Sequence, residues 1–230
     1  MRKHLLTVAF TSLALSPMAS AQPAGVGYAP TWKQSHSQCP SARTMATWAL
    51  KTNEYSVAIG TIRYLDTDPG DRSHPTIEGM DLDASDIAAD GGVGYHVQLI
   101  IHEALHRTPS SMQLTAGSRW DLYDLAIEEA IAEVVSRGLR DHAASRWGCA
   151  LTGWKVTGYP RLAKWLRTTA VVGSSAKWGS PLAWQWVREL HSTPVEYRRR
   201  LMASYNVSPP PLEIVQAEIQ PVTPASEQGE

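Results

Sequence analysis

The order of segments predicts an α+β fold: a small N-terminal sheet beside a site-bearing helix, followed by a mainly helical C-terminal lobe. Three observations carry this. The β-branched run Tyr55–Leu65 and a second, shorter candidate strand, Thr76–Leu82, both precede residue 94. The stretches Gly94–Pro109 and Arg119–Gly138 then place apolar residues at helical spacing. Beyond them, Pro160, Pro181 and Pro194 each stand where a first helical turn would begin.

Taken in order, Met1–His4 is basic, Leu5–Leu15 is apolar, and Ala19–Ala21 supplies small residues after Pro17. That succession reads as a cleaved secretory signal, residues 1–21, and the apolar run is too short to span a bilayer. The chain is therefore expected to be secreted or periplasmic, with no membrane span once the signal is removed. A single domain is expected over 22–207, with the sheet and site helices to about 138 and the helical lobe over 139–207. Ser41 is expected to cap a first helix running to about Lys51. Tyr55–Leu65 and Thr76–Leu82 are the expected strands, with a loop over Asp66–Pro75 between them.

Gly91, Gly92 and Gly94 end the following loop, and a helix is expected from about Tyr95 until Pro109 stops it. Ser118 with Asp121 marks the start of the next helix, and Gly138 its expected end. Between these, Tyr123, Ala126, Ile127, Ala130, Ile131 and Val134 share one face. Thr193 with Glu196 makes a capping box for a last helix to about Tyr205. Residues 208–230 hold five prolines, four glutamates and no Lys or Arg, and are expected to be a disordered tail.

Charge excludes one class of partner. The formal net charge is −1, and no basic stripe of the kind that nucleic acid or anionic lipid requires is present. The short run Tyr197–Leu201 (YRRRL) reads as a solvated helix face. The two cysteines, Cys39 and Cys149, are candidates for a disulfide in an oxidising compartment. Nine tryptophans, most at helical spacing, are expected to supply core rather than a binding surface.

The chemistry concentrates in HEALH, His102 to His106. Residues four apart on a helix lie on one face, so both imidazoles can reach one zinc ion. Glu103 is turned by roughly 100° from His102 and can act on water without becoming a ligand. Val97, Leu99, Ile100 and Ile101 precede the pair, and burying two histidines and a carboxylate without partners would be costly. A metal removes that difficulty. A catalytic zinc takes three protein ligands and leaves one position open. A third histidine in an H-x-x-G-x-x-H extension is excluded, because Pro109 and Met112 occupy the required positions. Asp121, Asp124, Glu128, Glu129 and Glu133 remain, and periodicity does not choose between Glu128 and Glu129.

HEALH followed by Glu129–Glu133 (EAIAE), 23 residues beyond His106, resembles the gluzincin metallopeptidases, the thermolysin-like branch of the zincins. The resemblance covers roughly Gly94 to Gly138. It implies a zincin-like fold, one Zn2+ ion held by His102, His106 and Glu129, and Glu103 as general base on a peptide or protein substrate. Ala130 and Ala132 match the small residues of the family pattern. Glu133 stands four beyond Glu129, where the family has a carboxylate, usually Asp, that orients a zinc histidine. By the same pattern Glu128 is disfavoured, since Ala132 stands four beyond it. The family's oxyanion donor has four candidates here, Tyr123, His142, Tyr159 and His191, with no motif to select one. Two other readings stand beside this one: a structural zinc site in a secreted interaction protein, and a zinc hydrolase acting on a non-peptide bond.

Overall fold

A computed structural model describes residues 39–65, 73–84, 87, 92–116, 121–149 and 158–219, with 113–116 described in their backbone alone. The expected signal, Ser118 and residues 220–230 lie outside this set. Among the described residues the architecture is α+β, mostly helical, with one small sheet.

Helix α1 (Ala42–Thr52) starts at Ser41, whose Oγ accepts from Thr44 N, and buries Met45, Ala46, Ala49 and Leu50. Strands β1 (Thr61–Leu65), β2 (His74–Pro75) and β3 (Gly79–Asp83) form a sheet in the order β1-β3-β2. β1 is parallel to β3, with Ile62 opposite Met80, while β2 runs antiparallel to β3. The first strand is shorter than its β-branched run, and β2 lies in the segment expected to be loop. Only the part that pairs with a neighbour becomes strand, and pairing partners are not visible in local propensity.

Helix α2 (Val93–Leu105) carries the motif and ends on His106. It is held on three sides. His96 Nε2 meets the Tyr64 hydroxyl of β1 at 2.9 Å, Arg140 donates to Gln98 at 2.6 Å, and Val97, Ile100, Ile101 and Ala104 are fully buried. Pro109 does not simply end the chain's helical run; it opens a further short helix, α3 (Pro109–Ala116). Proline suits that first position because the missing N–H would be unsatisfied there anyway.

Helix α4 (Leu122–Trp147) is 26 residues long and passes straight through Gly138. The expected stop is corrected by packing. A Cβ at Gly138 would lie 2.5 Å from Trp184, so the glycine provides room for an indole rather than a turn. The helix ends at Gly148 in the left-handed region (φ 63°), and at its other end Asp121 caps Tyr123 N at 2.9 Å. Ala126, Ile127, Ala130, Ile131, Val134 and Val135 are buried together with Glu128 and Glu133, so α4 is enclosed on most of its circumference. It packs against α1, α2 and the later helices and forms the centre of the molecule.

The C-terminal lobe comprises α5 (Pro160–Ser174), α6 (Pro181–Ser192), α7 (Val195–Ser204) and α8 (Leu212–Glu218). Pro160 and Pro181 begin their helices, but Pro194 caps α7, and Thr193 instead bonds back to the Glu189 carbonyl at 2.8 Å. The expected Thr193–Glu196 box is thus absent. The expected disordered tail is also corrected over its first part. α8 buries Val215, and the Glu218 carboxylate accepts from Arg161 N and Leu162 N at 2.7 and 2.9 Å. Those are two of the free N–H groups at the start of α5, so a stretch without an obvious apolar period is ordered by capping another helix.

Cys39 and Cys149 are joined as a disulfide with Cα atoms 6.0 Å apart, tying the entry to α1 to the end of α4. No helix among the described residues is long and apolar enough to cross a membrane.

Candidate metal centre

His102 stands in the last turn of α2 and His106 immediately after it, with ring centroids 4.9 Å apart. Glu129, in the second turn of α4, comes to both: its Oε2 lies 3.2 Å from His102 Nε2 and 3.6 Å from His106 Nε2. These three residues form a group that could hold a metal ion. Its dimensions fit one. Two ligand atoms each about 2.1 Å from a tetrahedral zinc are about 3.4 Å from one another, the middle of the observed distances. A second observation agrees: His106 Nε2 is buried and has no hydrogen-bond partner among the described residues. His102 and Glu129 keep 14 % and 16 % of their side chains accessible, so one side of the group is open.

Electrostatics bind the cluster together even without a cation. Burial alone would raise the Glu129 carboxyl, but the charge on His106 and the hydrogen bond from His102 outweigh it and bring it down to about 2. Burial would lower the histidines, and their carboxylate partners win, raising His102 and taking His106 well above its ordinary value. Glu103 is 5 % exposed, and burial pushes its carboxyl up to about 7 against the opposing charges of His102 and His106. His74 on the β2 edge also lowers it, so the sheet and the motif face a common region.

The carboxylate bonded to the far nitrogen of a motif histidine is Glu128. Its Oε1 lies 3.2 Å from His106 Nδ1 and accepts from Ser111 Oγ at 2.6 Å. Arg198 Nη1 donates to its Oε2. The Glu133 carboxylate, expected in that orienting role, is paired with Arg137 one turn on along α4. Glu128 and Glu129 are about 100° apart on their helix, and the His106 ring lies between them with one nitrogen toward each. Burial would raise Glu128, but Arg198 and His106 hold it well below the usual carboxylate range. Removing one partner of such a buried pair costs about 3–5 kcal/mol.

Sequence reasoning missed this half of the centre. The run Tyr197–Leu201, expected to be solvated, contains Arg198, whose side chain is fully buried. Arg199 pairs with Asp121 and Asp124, and Arg200 lies over the Tyr197 ring. The one available signal was the adjacent pair Glu128–Glu129 inside an apolar helix, since a second buried carboxylate demands a cation from elsewhere.

Of the candidate oxyanion donors, His142 is 13 residues along α4 from Glu129, roughly 20 Å at helical rise, and packs on Trp48. His191 Nε2 donates to the Leu105 carbonyl at 3.1 Å. Tyr123 is half-buried near the start of α4, and Tyr159 caps α5.

No family model matches the chain, and no curated protein or solved structure is significantly similar to it.

Proposed function

We propose that the protein is an exported, zinc-dependent peptidase of zincin type. The observation that carries this reading is the convergence of His102, His106 and Glu129, whose ligand atoms lie within 4.8 Å of one another, with Glu103 next to His102 on the same helix. The sequence of residues 1–21 supports export. A zinc ion with an open position supplies Lewis acidity, lowering the pKa of water and polarising a carbonyl.

The protein's own groups do the rest. The two imidazoles and Glu129 present two nitrogens and one oxygen, a ligand set that leaves a vertex for water or substrate. The Glu103 carboxylate, next to His102 on the same helix, can accept a proton from attacking water and release it to the leaving amine nitrogen. Its burial keeps bulk water from competing for that proton.

The deciding experiment compares Glu103→Gln and His106→Ala with wild type, by metal analysis and by cleavage of casein or a peptide library. Glu103→Gln should keep stoichiometric zinc and lose hydrolysis; His106→Ala should lose both. Retained cleavage in Glu103→Gln refutes the proton role. Zinc without any hydrolysis in the wild type refutes the peptidase.

A further inference from the structure

We propose that Arg198 and Ser111 form a clamp that holds Glu128 as the positioning carboxylate of His106, and so set the affinity of the donor group for its cation. The inference rests on the reading of His102, His106 and Glu129 as a metal centre.

Both carboxylate oxygens of Glu128 are engaged. Oε1 takes the Ser111 hydroxyl at 2.6 Å and faces His106 Nδ1 at 3.2 Å, and Oε2 takes Arg198 Nη1. Arg198 is itself immobilised: Nε donates to the Thr193 carbonyl at 3.0 Å and Nη2 to the His191 carbonyl at 3.1 Å. A planar guanidinium tied at three nitrogens has little freedom to move, so its position dictates that of Glu128.

Two consequences follow for the donor group. To donate to Glu128, the His106 ring must carry a proton on Nδ1, so that Nε2, the nitrogen facing Glu129, is the one it would offer a cation. And Glu128, which adjoins Glu129 in the chain, is neutralised and kept on the far side of the ring. The group therefore stays at two nitrogens and one oxygen instead of closing with a second carboxylate. His191 links both ends of this arrangement. Its carbonyl holds Arg198 while its Nε2 holds the carbonyl of Leu105, the residue before His106. The elbow between α6 and α7 thereby grips the centre through the side chain of Glu128 and through the backbone of α2.

A buried ion pair could instead serve folding alone, and the test separates the two roles. Zinc is titrated into the metal-free protein in competition with a chromophoric chelator, and the tautomer of His106 is read from nitrogen-15 spectra of the imidazole. The variants are Ser111→Ala, Arg198→Lys, and the double change Glu128→Met with Arg198→Met, which leaves no unpaired buried charge. The double variant should bind zinc roughly 10–100-fold more weakly, with the two single variants between it and wild type. At saturating zinc its His106 should show a mixture of Nδ1–H and Nε2–H forms where the wild type shows the Nδ1–H form alone. Wild-type affinity and an unchanged tautomer in these variants overturn the clamp. If circular dichroism shows the double variant unfolded, Ser111→Ala and Arg198→Lys decide on the same two readouts. A wild type that takes up no zinc, or Glu129→Ala binding as tightly as wild type, overturns the metal centre itself. Tight wild-type binding that Glu129→Ala loses and the clamp variants keep overturns the clamp alone.

Discussion

Glu129→Ala tests the centre with and without a cation. In the metal-free protein, Glu129 is held at about 2 against an ordinary 4.5. A depressed carboxyl contributes stability that is present above its unfolded value and is lost as pH falls through the folded one. Here that window runs from about 4.5 down to about 2. The shift corresponds to ~3 kcal/mol at pH 7. For a domain of this size each kcal/mol moves Tm by about 2–4 °C, so metal-free Glu129→Ala should melt about 6–12 °C below wild type. Zinc at one hundred times its Kd should raise wild-type stability by about 2.7 kcal/mol, or roughly 5–11 °C. The same zinc should do little for the variant, whose oxygen 3.2 Å from His102 Nε2 is gone. Scanning calorimetry at pH 7, in chelator and in excess zinc, measures both effects, and repeating the chelator series down to pH 2 checks the window. If zinc raises Tm equally in the two proteins, Glu129 is not a ligand. If the metal-free proteins melt together, the ionic cluster does not contribute as described.

Three further outcomes are expected. Because burial raises Glu103 to about 7, the metal-free folded state binds more protons than the unfolded one between about 4.5 and 7, so its stability should fall as pH rises across that range. Glu103→Gln should flatten this slope in thermal melts, and an unchanged slope would assign it to another group. Gly138→Ala should lower stability despite a helix-propensity gain of about 1 kcal/mol, because the new methyl meets the Trp184 ring at a cost of about 1–3 kcal/mol; a stabilised variant would show that the indole is not held there. Glu218→Ala removes the acceptor for two N–H groups at the start of α5 and should cost ~1 kcal/mol in denaturant melts while leaving zinc affinity intact. A loss of zinc binding would instead tie α8 to the centre.

Local rules were enough for what is local. The i, i+4 spacing of His102 and His106 on one helix, the Ser41 cap, the prolines opening α5 and α6, and the apolar face of α4 all follow from helix geometry over a few residues. They did not choose between Glu128 and Glu129; only the resemblance to the gluzincin pattern favoured Glu129 as the partner of the pair. What they could not decide depended on groups distant in the chain. Gly138 reads as a stop until Trp184 is packed against it, and residues 212–218 read as a tail until Glu218 meets the open end of α5.

The same limit applied at the centre. Glu128 and Glu129 are neighbours of one residue type on one helix, and no pattern within that helix gives them different work. Their roles diverge because Arg198, 70 residues from Glu128, is buried beside one of them and the two histidines converge on the other. A buried carboxylate is tolerable only with its countercharge in place, and where that countercharge lies is a property of packing. The sequence by itself determined that two imidazoles and a carboxylate would share a helix. The tertiary structure decided which acids meet them, and which cation keeps the second acid at a distance.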